Sequence, residues 1–265
     1  MKFIQKTFLL PLLAVLTSCS GERPSPPAPY GAVPSEAQLD WHDIRMYAMV
    51  CFGLNTYTDQ EWGYGDVAPS VFDPSQFDAN QIVETLKSAG FKGVLLVAKH
   101  HDGFCLWPST TTDYTVAASP WKGGKGDMVR DFEQATRRAG LKFGVYNSPW
   151  DRNAATYGTE AYIGMYRKQL EELHKNYGEL FISWYDGANG GDGFYGGARE
   201  TRNIDRTTYY QWDETWQIVE DLQPNAVIFS DIGPGVRWVG NEIGIAGETS
   251  WSTYSPKTPD GLSAA

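Results

Sequence analysis

From Trp41 onward, short apolar runs alternate with longer amphipathic stretches. The runs at 46–54, 93–99, 142–146, 180–185 and 226–229 are rich in Val, Ile, Leu, Phe and Tyr and read as buried strands. Between them, 80–89, 128–139, 159–177 and 209–222 carry helical spacing. In the first of these, Ile82, Val83, Leu86 and Ala89 share one face. Strands alternating with helices of this length imply repeated βαβ units and a parallel sheet. An internal echo supports that unit. Ala89-Gly90-Phe91-Lys92 and Ala139-Gly140-Leu141-Lys142 each end a helix on a glycine, where the chain must turn through positive φ, and then enter a strand.

The residues just past each strand separate an open sheet from a closed one. The chain turns polar and aromatic at once: Asn55-Thr56-Tyr57, His100-His101-Asp102, Asn147-Ser148-Pro149-Trp150-Asp151, and Asp186-Gly187-Ala188-Asn189. No glycine-rich phosphate loop comes after the first strand, which argues against a dinucleotide crevice. Chemistry-bearing residues at every strand's C-terminal end predict an α/β fold of the (β/α)8, TIM-like barrel type. Five strands and a sixth at 243–247 fall short of the eight a barrel needs. The expectation is therefore a catalytic barrel domain over 41–265 that is C-terminally incomplete.

Residues 1–40 stand outside this pattern. A basic start, an apolar run over 8–16 too short to span a bilayer, and Leu16-Thr17-Ser18-Cys19 resemble a bacterial lipoprotein signal. On that reading 1–19 is a signal peptide ending at a lipidated Cys19, and the Pro-rich 20–40 is a tether. The product is then exported to the bacterial periplasm or outer membrane surface, and touches membrane through its lipid anchor alone. A net charge of −10 without a basic stripe argues against nucleic acid as a partner. Cys51 and Cys105 have no metal or redox spacing; free, buried thiols are the favoured reading, with a single disulfide formed after export as the alternative. Aromatic residues make up 14% of the chain, most of them expected in the core; flat rings also suit the apolar faces of sugars.

Candidate chemistry gathers at the strand ends. Phe181-Ile182-Ser183-Trp184-Tyr185-Asp186-Gly187 delivers a carboxylate where a buried strand stops, with a glycine-rich loop rather than a helix after it. A glycosidase needs a second carboxyl group, about 5–5.5 Å away for retention of configuration or roughly 6.5–9.5 Å for inversion. Asp231, Glu242 and Glu248 are candidates, and composition alone does not separate the two glutamates. Trp238 could supply the apolar wall that raises the pKa of Glu242. The paired His100 and His101 could ligate a metal or bond sugar hydroxyls. The second use is favoured, because adjacent strand residues point to opposite faces. Glu61 beside Trp62 pairs a hydroxyl acceptor with a platform for a sugar ring.

Taken as an ordered set, several stretches are similar to glycoside hydrolase family 29, the α-L-fucosidases. They are Phe52-Gly53-Leu54-Asn55-Thr56-Tyr57-Thr58 with Glu61-Trp62-Gly63, Ala98-Lys99-His100-His101-Asp102-Gly103-Phe104, Ser148-Pro149-Trp150-Asp151, Trp184-Tyr185-Asp186-Gly187-Ala188, and Arg237-Trp238-Val239-Gly240-Asn241-Glu242. The resemblance implies retaining hydrolysis of terminal α-linked L-fucose from a fucosylated oligosaccharide or glycoconjugate, without cofactor or metal. It implies Asp186 as nucleophile and Glu242, rather than Glu248, as acid/base. Sugar contacts carried over are Glu61, His100 and His101, with Trp62, Trp150 and Arg237. Asn55 stands where many members have His, which points to the branch acting on α-1,3/1,4 linkages. Two other readings are a metal-dependent barrel hydrolase using His100, His101 and Asp186, and a non-catalytic glycan-binding lipoprotein.

Overall fold

A computed structural model describes residues 25–28, 31, 33–230 and 234–236. Contacts divide the chain into Met1–Val33 and Pro34–Ala265, and all elements named here belong to the second unit. Cys19, Asp231, Arg237, Trp238, Glu242, Glu248 and the sixth strand expected at 243–247 lie outside the described residues.

Chain order is α1 (Glu36–Ile44), β1 (Tyr47–Val50), α2 (Asn55–Thr58), α3 (Ala79–Ser88), β2 (Gly93–Lys99), α4 (Met128–Arg138), β3 (Lys142–Asn147), α5 (Glu160–Asn176), β4 (Ile182–Tyr185), β5 (Gly191–Gly193), β6 (Glu200–Arg202), α6 (Trp212–Leu222) and β7 (Val227–Ser230), with short 3-10 turns between. The main sheet runs β1-β2-β3-β4-β7, every pair parallel. Each of its strands lies beside the one before it in the chain. Among the described residues that monotonic order shows no point where the winding reverses, unlike a doubly wound sheet.

Three expectations need correction. The expected tether extends to residue 40, but α1 begins at Glu36, so the folded part starts upstream of Trp41. Ser35 caps it: its hydroxyl accepts from the Gln38 amide at 3.2 Å, and Gln38 Oε1 accepts from the Ser35 amide at 2.9 Å. The first strand stops at Val50, and the turn of α2 takes over at Asn55. Cys51 is consequently exposed, while Cys105 is buried; both are free thiols. The glycine-rich stretch after Asp186 is not wholly loop, because β5 and β6 pair antiparallel.

Strand alternation sorts the core. Val94, Leu96, Ala98, Phe143 and Val145 pack against helix residues such as Val83, Val129 and Phe132. Leu95, Val97, Tyr146 and Ile182 face the other way, joined by Ile44 of α1. A third cluster of Tyr and Trp, including Tyr162, Tyr166, Tyr185 and Trp216, fills the space under α5 and α6. Most of the aromatic content is therefore core, as the sequence suggested.

One buried imidazole belongs to this core. His174 on α5 is 2% exposed, donates from Nδ1 to Leu170 O at 2.6 Å, and has Nε2 2.8 Å from Ser183 Oγ. Burial pulls its pKa from 6.5 down to about 4. The folded state thus refuses a proton that the unfolded chain takes up below pH 6.5. Stability from this residue is complete above pH 6.5 and falls towards pH 4, by about 1.4 kcal/mol per pH unit. Urea denaturation at pH 7 and pH 5 should show a shallower acid loss in His174→Gln than in the wild type. Parallel losses in the two proteins would refute the assignment.

Candidate active site

The C-terminal ends of β2, β3 and β4 converge on one place. At the end of β2 the ladder slips: Val97 pairs with Tyr146, yet Lys99 pairs with the adjacent Asn147. This bulge re-aims the residues beyond it. Lys99 is fully buried and turns to α5, donating to Gln169 Oε1 at 2.9 Å, Asp151 Oδ2 at 3.2 Å and Tyr162 Oη at 3.3 Å. His100 then stacks on Tyr146, with centroids 6.0 Å apart. His101 comes next in a turn, its ring 4.1 Å from that of His100. Because the strand ends at Lys99, the two imidazoles do not diverge as adjacent strand residues would.

Asp186 is half-buried just past β4. Tyr146 Oη donates to its Oδ2 at 3.1 Å. Gly187 has φ +80°, and a Cβ there would strike the His101 ring, so the turn and the close approach both require glycine. Ser148 Oγ lies 3.0 Å from Trp150 O, 3.2 Å from Asp186 O and 2.7 Å from His101 Nδ1. The Ser148 hydroxyl, able both to donate and to accept, thus joins the His101 ring to two backbone carbonyls. Asn55 Nδ2 lies 3.5 Å from His100 Nδ1. Each neutral imidazole carries one donor and one acceptor nitrogen.

Burial holds both rings neutral. It lowers His100 to about 4 and, helped by the neighbouring His100, Arg152 and Lys99, His101 to about 2. Burial has the opposite effect on the carboxyl of Asp102, raising it to about 7. Among the described residues, no group of three or more His, Cys, Asp or Glu is placed to hold a metal ion.

Aromatic rings wall the site. Trp150 is 5% exposed, its Nε1 donating to Tyr195 Oη at 3.1 Å, and its ring lies 5.4 Å from His101. Trp62 is 48% exposed and meets His101 edge-on at 5.6 Å and Trp150 at 6.0 Å. The fold thus brings together Asn55, Trp62, His100, His101, Trp150 and Asp186. Glu61 is exposed and joins them through its backbone carbonyl, 3.5 Å from Asn55 Nδ2. Tyr146, Ser148 and Arg152 do not stand out in the sequence as site residues. Strand parity points to Tyr146, since it faces opposite to Phe143 and Val145.

A carboxylate at a strand end, a pair of neutral imidazoles and an exposed indole can together grip a polyol ring and attack it. That is the equipment of a carbohydrate-active α/β protein. Comparison with known proteins narrows the class. The alpha-L-fucosidase family model matches residues 29–248. "Alpha-L-fucosidase 1" of Arabidopsis thaliana is 44% identical over 248 residues, covering 93% of this chain and 46% of the relative. A crystal structure of a glycoside hydrolase 29 family member from an unknown rumen bacterium is 53% identical with a TM-score of 0.81, covering 88% of this chain and 44% of that one. A Ruminococcus gnavus family 29 fucosidase in complex with fucose is 33% identical with a TM-score of 0.71, covering 87% and 50%. The chain belongs to the alpha-L-fucosidase family of glycoside hydrolases. It spans about half the length of the curated relatives it matches.

Proposed function

We propose that this protein is a retaining α-L-fucosidase that removes terminal fucose from glycans, with α-1,3 and α-1,4 linkages preferred. Asp186 attacks the anomeric carbon and forms the fucosyl-enzyme, while Glu242 gives its proton to the departing glycosidic oxygen. Water, deprotonated by Glu242, then releases fucose from Asp186. His100 and His101 hydrogen-bond sugar hydroxyls, and Trp62, Trp150, Glu61 and Arg237 complete the grip. The five parallel strands are part of a (β/α)8 barrel, a reading supported by their monotonic order. Cys19 carries a lipid anchor that holds the exported protein at a bacterial membrane.

The single observation behind this reading is the placement of Asp186: half-buried at a strand end, oriented by Tyr146, and beside two neutral imidazoles. A 2-fluoro-fucosyl donor should trap the covalent intermediate, with peptide mapping placing the label on Asp186. Label on another carboxylate would overturn the assignment. Preference is checked by comparing release of fucose from α-1,2- and α-1,3/1,4-linked oligosaccharides. The anchor is checked by palmitate labelling, which Cys19→Ala should abolish.

A further inference from the structure

The side chain of Arg152 is 7% exposed, yet its hydrogen bonds among the described residues go to backbone carbonyls rather than to a carboxylate. Nη1 donates to Trp62 O at 3.1 Å and Gly63 O at 2.7 Å, and Nε donates to Asp192 O at 2.6 Å. The guanidinium also lies over Tyr64 at 4.4 Å and Trp150 at 5.1 Å. Its backbone joins the same pieces: Arg152 N donates to His101 O at 2.9 Å, and Arg152 O accepts from Phe194 N and Tyr195 N, each at 2.9 Å. One residue therefore ties three segments far apart in sequence: the loop carrying Trp62, the turn carrying His101, and the β5–β6 hairpin.

We infer that Arg152 is a positioning residue for the site, fixing the exposed Trp62 and the hairpin at the heights they need to flank a bound sugar. This rests on the reading of the site as a fucoside site. A guanidinium does this because its donors are rigidly splayed in one plane and can reach carbonyls on two segments at once. The single ammonium of lysine on a flexible stem cannot. The Trp62 ring itself is loosely held: its ring contacts are edge-on, and half its surface meets solvent. Arg152 acts through Trp62 and the hairpin and touches no reacting atom, so its loss should weaken binding more than chemistry.

The test uses Arg152→Lys, which keeps the charge, and Tyr64→Leu, which removes the stacked ring while leaving the backbone bonds. In Arg152→Lys, KM for an aryl α-L-fucoside should rise about tenfold, the cost of a lost charge-assisted hydrogen bond, with kcat changed less than about threefold. Tyr64→Leu should move KM in the same direction by less. Hydrogen–deuterium exchange should quicken in peptides spanning 60–66 and 190–196 and stay unchanged in α5. Unchanged KM and exchange in a folded Arg152→Lys would overturn the inference, as would faster exchange spread over the whole protein. Should Arg152→Lys not fold, Tyr64→Leu decides alone by the same two readouts. A wild-type protein that neither binds fucose nor cleaves the fucoside would instead defeat the functional reading. The exchange pattern would still judge Arg152, since it needs no sugar.

Discussion

Asp186→Ala is expected to lower turnover of an aryl α-L-fucoside by about ten-thousandfold or more, the scale on which loss of a covalent nucleophile acts. The fold should survive. Asp186 is half-buried, and water entering the vacated volume can take over the hydrogen bond from the Tyr146 hydroxyl. Thermal unfolding of variant and wild type should therefore differ little. Added azide, small enough to occupy the space of the missing carboxylate, should restore part of the activity and yield fucosyl azide of inverted configuration. Residual activity within tenfold of wild type, or no effect of azide at any concentration, would remove Asp186 from the centre of the mechanism. Steady-state kinetics and product configuration by NMR supply both readings.

The second large effect concerns stability. Lys99 and Asp151 form an ion pair at 3.2 Å with side-chain exposures of 0% and 2%. Tyr162, Gln169 and the amides of Asn153 and Ala154 satisfy the remaining donors and acceptors. Removing one member strands the other charge away from water. Lys99→Met should thus destabilise the protein by about 3–5 kcal/mol. Adding Asp151→Asn removes the stranded carboxylate and keeps an oxygen for the two amides, so the double variant should recover part of that loss. Urea denaturation of the three proteins measures the coupling. A loss below about 1 kcal/mol in Lys99→Met would show that the pair is dispensable. Activity should fall as well, because Asp151 braces the loop that carries Trp150 and Arg152.

Much of the molecule is legible one residue at a time. The strand–helix alternation is present with boundaries shifted by a few residues, and the paired Ala-Gly turns do sit at positive φ, Gly90 at +91° and Gly140 at +74°. Periodicity reports these features because burial on one face is a local constraint, repeated every turn or every second residue. The capping box Ser35-x-x-Gln38 is equally local, but the prolines just upstream give the whole stretch the composition of a tether and mask it. The hairpin after Asp186 is not legible: its strands, Gly-Asp-Gly and Glu-Thr-Arg, are three residues each and too short to show an alternation.

By itself the sequence determined the parallel α/β class, the membership of one family, and which candidate site residues stand at the strand ends. Strand period, glycine turns and short ordered motifs are all written in neighbouring residues. Only the tertiary structure decided that His100 and His101 share a face and that Lys99 turns away from them. It likewise decided that Arg152 binds three segments. These outcomes depend on a bulge between Val97 and Lys99 and on partners about 40 to 90 residues distant. A shift of one residue in a ladder reverses which side every later group faces, and no local pattern records it.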